Sequence, residues 1–150
     1  MQVVIGSDHA GVLLKKQLVA FLYAEGHEVL DCGTFNDDPV DYPDVAEKVA
    51  LEVKNRNIPG ILVCGTGIGV SIAANKIPGI RAALCHDLFT AQLARQHNDA
   101  NIAAIGSRIT GPGLAEAIVK TFLETEFLAG RHQRRVEKIM ALENKFRERV

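Results

Sequence analysis

The sequence predicts an α/β fold, a three-layer α/β/α Rossmann-like sandwich on a five-stranded parallel sheet with a C-terminal helix. Three observations lead there. Short β-rich runs alternate with segments of helical period along the whole chain. The runs are nearly continuously apolar, the pattern of strands covered on both faces. The polar and glycine-rich motifs come directly after the runs, as expected where ligands bind beyond the carboxyl ends of parallel strands. The 150 residues suggest a single domain, 1–150, large enough to bury a core unaided by disulfides or metal.

In chain order, "QVVIG" (2–6) reads as the first strand, and its exit "GSDHAG" (6–11) places Asp8 and His9 at the strand end. There they either cap a helix over 10–25 or meet a polar ligand. "EVLDCG" (28–33) is the second strand, followed by the irregular stretch "GTFNDDPVDYP" (33–43), a surface loop, and a helix over 43–55. "GILVCG" (60–65) is the third strand, running into "CGTGIG" and a short helix over 69–76. "IRAALC" (80–85) is the fourth, with a helix over 87–97, and "IAAIG" (102–106) is the fifth, with a helix over 111–125. The last helix, 131–149, opens on "GRHQRR" and carries an apolar stripe of Val136, Ile139, Met140, Phe146 and Val150, a core or subunit contact. Right-handed crossovers connect the strands. Internal repeats, low-complexity tracts and linkers are absent.

Composition narrows the function. Apolar residues make up 47% and charged residues 23%, and the net charge is −1, so there is no global basic field for nucleic acid. Cys32, Cys64 and Cys85 are too few and too odd for a disulfide framework. They fit a reducing, cytoplasmic compartment. No run approaches the ~20 apolar residues of a membrane span, and a strand starting at Val3 leaves no room for a signal peptide.

"CGTGIG" (64–69) admits several readings. Gly65 and Gly67 fit the start of a dinucleotide fingerprint, with Asp87 as its acidic partner, but Val70 stands where that pattern needs glycine or alanine. No Gly-Lys-Ser/Thr comes after it, so it is not a P-loop. A turn that only packs helix on strand is a second reading. A third takes successive amides at a helix N-terminus as an anion site, with Cys64 beside them in a position that favours the thiolate form. Such a thiolate is a nucleophile, a redox group or a general base; no Cys-x-x-Cys accompanies it. Amide donors beside a base also stabilise the oxyanion it creates.

Arg131 and Arg135 are four apart on one helical face, where they oppose the helix dipole. A bound phosphate would reverse that penalty; solvation or acidic partners would also accommodate them. His97 in "RQHNDAN" (95–101) is either a helix C-terminal cap or an acid–base group. A metal held by Asp8, His9 and His97 has no supporting ligand spacing. His27 and His86 give no functional signal.

Together "GSDHAG", "DCGT", "VDYPD", "CGTGIGVSIAANKIPGIRAALC", "RQHNDANIAAIGSR" and "GRHQRRVEKI" resemble the ribose-5-phosphate isomerase B family, nearly end to end. The resemblance implies interconversion of D-ribose 5-phosphate and D-ribulose 5-phosphate through an enediolate, without metal or cofactor. It also implies homodimers, or dimers of dimers. Cys64 matches the family's general base; some branches use a glutamate six positions on, where this chain has Val70. Gly65, Gly67, Ile68 and Gly69 match the loop whose amides hold the enediolate oxygen, and Thr66 a hydroxyl on the reacting oxygens. His97 matches the ring-opening residue, with Asp8 and Asn98 nearby. His9, Arg108, Arg131 and Arg135 match phosphate or substrate contacts, and Asp41 and Tyr42 a substrate-lining loop. Arg134 takes no role.

Alternatives are an isomerase of a hexose 6-phosphate, such as galactose or allose 6-phosphate, and a non-catalytic nucleotide or sugar-phosphate sensor. Galactose-6-phosphate isomerase subunits depart from "QHNDAN" and "GRHQRR", which this chain keeps. The expected helix directions add one inference. A helix from Asp87 to His97 runs about 16 Å back from the carboxyl edge. His97 and Arg131 therefore lie far from Cys64 in one chain, and a shared site needs a second subunit in an isologous dimer.

Overall fold

The computed structural model describes residues 1–147. Its sheet has five strands in the order β2-β1-β3-β5-β4, every pairing parallel. These are β1 (Gln2–Ser7), β2 (Glu28–Asp31), β3 (Gly60–Cys64), β4 (Ala82–Leu84) and β5 (Ile102–Gly106). The helices are α1 (Val12–Ala24), α2 (Tyr42–Arg56), α3 (Ile68–Ala74), α4 (Leu88–Asn98), α5 (Pro112–Glu124) and α6 (Arg131–Arg147). The three-layer architecture matches the alternation in the sequence. Val3, Ile5, Ile61, Val63, Ala103 and Ile105 face one core with the apolar stripes of α1, α4 and α5. Val4, Leu62, Cys64, Ile102 and Ala104 face the other, with α2 and α3. Alternate strand residues serve opposite cores, which is why β3 and β5 are apolar throughout and wholly buried.

The element ends differ from expectation for local reasons. α1 starts at Val12 because the Asp8 carboxylate takes the Gly11 N–H at 3.2 Å and holds a single 3-10 turn, His9–Gly11, ahead of it. β2 stops at Asp31. The pairing to β1 persists through Cys32 N–H to Ile5 C=O and Ser7 N–H to Gly33 C=O, but Gly33, at φ 90°, turns the chain out of the strand. Asp87 lies outside α4 as its N-cap, accepting the Thr90 N–H at 2.7 Å. α3 ends early at Ala74, since the Asn75 amide turns back to donate to Ser71 C=O and Ala82 C=O.

α6 packs on α4 rather than on the sheet. Of its expected stripe, Val136 is buried, whereas Ile139 and Phe146 are exposed, as is Leu142 beside them. A groove of about 470 Å³ lies between that face and the edge strand β4. Val150 and the expected end of the helix at 149 lie outside the described residues.

Candidate active site

The carboxyl edge gathers the glycine loop. Cys64 is the last residue of β3, and the loop turns sharply after it, with Gly67 at φ 79° as the N-cap of α3. That turn aims the Gly67 N–H at the Cys64 sulfur, 3.0 Å away. The β5–α5 turn is laced to the same loop: Ser107 N–H donates to Cys64 C=O at 2.7 Å and Arg108 N–H to Gly65 C=O at 3.0 Å. Gly106 makes this approach possible, because a Cβ there would sit 2.6 Å from the Thr66 backbone. Thr66 itself is exposed, its hydroxyl accepting the Ile68 N–H at 3.3 Å.

Other expected residues surround this loop. The Arg108 guanidinium lies over Gly65, where a Cβ would be 3.1 Å from its nearest nitrogen. The Tyr42 ring lies against Gly69, which would collide with it at 2.7 Å if it carried a side chain. Asp8 is buried next to β3, its N–H donating to Val63 C=O, and its carboxylate caps the turn that carries His9. His9 Nδ1 accepts the Val40 N–H at 3.2 Å, which ties the loop before α2 to the end of β1. Asp41, exposed, precedes α2 without capping it through its side chain.

His97, Asn98, Arg131 and Arg135 lie at the other end. α4 runs back from the carboxyl edge, and its last turn reaches the residues that start β5. The register pairs Gly60 with Ile102 and Cys64 with Gly106, so the sheet separates the two ends by four residue steps, about 13 Å. His97 stands in the last turn of α4, where a basic side chain suits the helix dipole, while Asp99, at φ 44°, is the residue that ends the helix and binds both Arg81 and Arg95. The His97 ring stacks on His132, with centroids 4.1 Å apart and planes 11° from parallel. His132 is buried in the first turn of α6, between the exposed Arg131 and Arg135. Burial holds its imidazole below the ordinary value, helped by the charges of His97, Arg131 and Arg135. The Asn98 carbonyl accepts the Arg81 Nε–H at 3.0 Å.

A single chain thus brings Cys64, Thr66, the glycine loop, Asp8, His9, Tyr42 and Arg108 to one edge. It brings His97, Asn98, Arg131 and Arg135 to the opposite edge. Asp8 and His9 do not meet His97, and among the described residues no three His, Cys, Asp or Glu side chains are grouped as for a metal ion. Two residues escaped sequence reasoning. His132 stands inside the quoted "GRHQRR", and only the fold shows that it faces His97 rather than solvent. Lys15 reads as an ordinary helical lysine yet is buried.

The matching family model, described as Ribose/Galactose Isomerase, spans residues 3–139. The chain belongs to the ribose/galactose isomerase family. Within that family it is 49% identical over 145 residues to ribose-5-phosphate isomerase B of Escherichia coli, covering 96% of this chain and 97% of that one. It is 43% identical to the D-erythrulose-4-phosphate isomerase of Pectobacterium atrosepticum, covering 93% of each. The solved ribose-5-phosphate isomerase B of Clostridium thermocellum superimposes with a TM-score of 0.95 at 52% identity, covering 97% of this chain and 99% of that one. The chain is accordingly an isomerase enzyme with a Rossmann-like sandwich. Among the described residues, no helix is long and apolar enough to cross a membrane.

Proposed function

We propose that the chain interconverts D-ribose 5-phosphate and D-ribulose 5-phosphate with Cys64 as general base. The observation that carries this reading is the Gly67 N–H held on the Cys64 sulfur inside a loop of backbone donors. An aldose–ketose isomerase must remove a weakly acidic C–H proton beside a carbonyl and stabilise the resulting oxyanion. The Cys64 thiolate takes the C2 proton, the C–H electron pair forms the C1–C2 double bond, and the C1 carbonyl oxygen becomes the enediolate oxygen. The glycine-loop amides and Thr66 hold that oxygen. Transfer of the O2 proton to O1 and return of the Cys64 proton to C1 complete the ketose. Arg108, His9 and the arginines of α6 bind the phosphate, and this remote binding orients the sugar.

His97 opens the furanose ring and, with Asn98, Arg131 and Arg135, comes from a second subunit. The opposite placement of these residues in one chain supports this arrangement. So does the uncovered apolar face of α6 beside β4, which suits a homodimer contact. No cofactor or metal enters these steps, and three free thiols suit a reducing, cytoplasmic setting.

The 43%-identical relative named for a four-carbon sugar phosphate favours a second reading, that sugar length varies within this architecture. A coupled assay in excess chelator, run on four-, five- and six-carbon aldose phosphates, tests both. Turnover highest on ribose 5-phosphate is the expected result. A hexose 6-phosphate preference would reassign the substrate. Nucleotide binding without any turnover would mark the chain as a sensor.

A further inference from the structure

Lys15 is 1% exposed, yet no step of the isomerisation uses it. It stands in the first turn of α1, where the helix dipole opposes a cation. Lysine is almost never fully buried unless paired. Its ammonium donates to Asp31 Oδ1 at 2.5 Å and lies 4.5 Å from the centre of the Phe35 ring. The same Asp31 oxygen accepts the Gly33 N–H at 2.9 Å. An apolar side chain of similar volume would often hold the place of Lys15 as well or better, so stability alone is a poor reason for burying its charge against the half-buried Asp31.

The reason lies in the stretch of chain beyond Asp31. Segment 32–41 has no helix or strand of its own, yet it leads into the candidate site. Its start is fixed by Asp31 on Gly33 and by the exchange of Ser7 N–H to Gly33 C=O and Thr34 N–H to Ser7 C=O, both 2.7 Å. Phe35 folds over the Lys15 ammonium. Its end is where Val40 N–H meets His9 Nδ1 and where Tyr42 lies against Gly69. We propose that Lys15 and Asp31 are positioning residues: the ion pair of buried Lys15 with half-buried Asp31, roofed by Phe35, sets the path of segment 32–41 and through it the orientation of His9 and Tyr42. The proposal rests on the isomerase reading above for its effect on turnover, and on the contacts alone for its effect on the loop.

The test uses the full-length protein with Lys15→Met, Asp31→Leu, the double variant K15M/D31L, and Phe35→Ala. Kinetics on ribose 5-phosphate, thermal unfolding and amide hydrogen exchange over 32–41 are measured for each. Each charge variant alone strands a buried charge or its partner and should lose stability and activity together. The double variant should regain most of the thermal stability while kcat/KM stays at least tenfold down and exchange over 32–41 stays fast. Phe35 is 67% exposed, so its truncation leaves the core alone. Phe35→Ala should quicken exchange over 32–41 and lower kcat/KM severalfold at an unchanged melting temperature. A double variant with wild-type kcat/KM, or Phe35→Ala with unaltered exchange and kinetics, overturns the proposal. Failure of the wild type to isomerise any sugar phosphate would instead count against the functional reading, and loop exchange would then decide the anchoring role by itself.

Discussion

The imidazoles of His97 and His132 stack 4.1 Å apart, joining the last turn of α4 to the first turn of α6. Two rings so placed share one local field. A positive charge on His97 disfavours one on His132, and Arg131 and Arg135 add to that penalty.

Stability should therefore fall on the acid side through His132. Its folded value is lowered, so the unfolded chain binds the proton more readily. The contribution is fully present above the free imidazole range and is lost as pH drops below about 6.5. Replacing His132 with Asn should flatten the melting temperature between about pH 7.5 and 5. An unchanged slope in the variant would place the acid sensitivity elsewhere.

Cys64→Ala should leave a folded protein with isomerase activity down by roughly 10²–10⁴-fold, the usual share of a general base. Iodoacetamide should inactivate the wild type, and substrate should protect it. Peptide mapping must find the protected label on Cys64. Burial, with Asp87 nearby, pushes Cys85 up to about 12. Burial, then the charges of Glu52 and Asp31, also raises Cys32. Both should react slowly at neutral pH. Protection at either of them would contradict the assignment.

Gly106→Ala should damage the site without touching a polar group. The new methyl would lie 2.6 Å from the Thr66 backbone, so the glycine loop and the β5–α5 turn must separate. Overpacking of this kind costs about 1–3 kcal/mol. We expect a lower melting temperature and a kcat reduced at least tenfold. Wild-type kinetics in this variant would mean that the loop tolerates displacement.

Arg131→Ala and Arg135→Ala should each lower kcat/KM by roughly ten- to a hundredfold, the effect of losing a charge-assisted hydrogen bond of about 1.5–3 kcal/mol. Part of the loss should appear in kcat, because the phosphate orients the sugar. Unaltered kinetics on ribose 5-phosphate in both would reduce the start of α6 to a solvated face.

Complementation tests the division of the site. Cys64→Ala and His97→Ala homodimers should each be poor catalysts. Refolding them as a mixture should give heterodimers with one intact and one doubly damaged site, recovering about half the wild-type activity per heterodimer. Verified heterodimers without recovery would show that both residues serve from the same chain.

The sequence made the sheet legible because apolar runs and strand-end motifs report burial and chain direction directly. "GILVCG" placed Cys64 at a strand end, and the helix from Asp87 placed His97 at the other edge. Boundaries were less legible where a single side-chain or φ choice sets them, as at Gly33 and Asn75. His132 and Lys15 were illegible for a different reason. Each is polar in a helix whose buried face is decided by what packs on it, and no spacing rule encodes a stacked ring or an ion pair to a residue 16 positions away.

The placement of Cys64 and His97 at opposite edges also makes dilution informative. If neither end of one chain is a whole site, a lone subunit is silent, however well folded. Specific activity then falls with enzyme concentration once the pair begins to part, while a property of the single chain, such as its helix signal, does not. In the dissociated regime the rate scales with the square of the chain concentration, and substrate, by bridging the two chains, draws them back together.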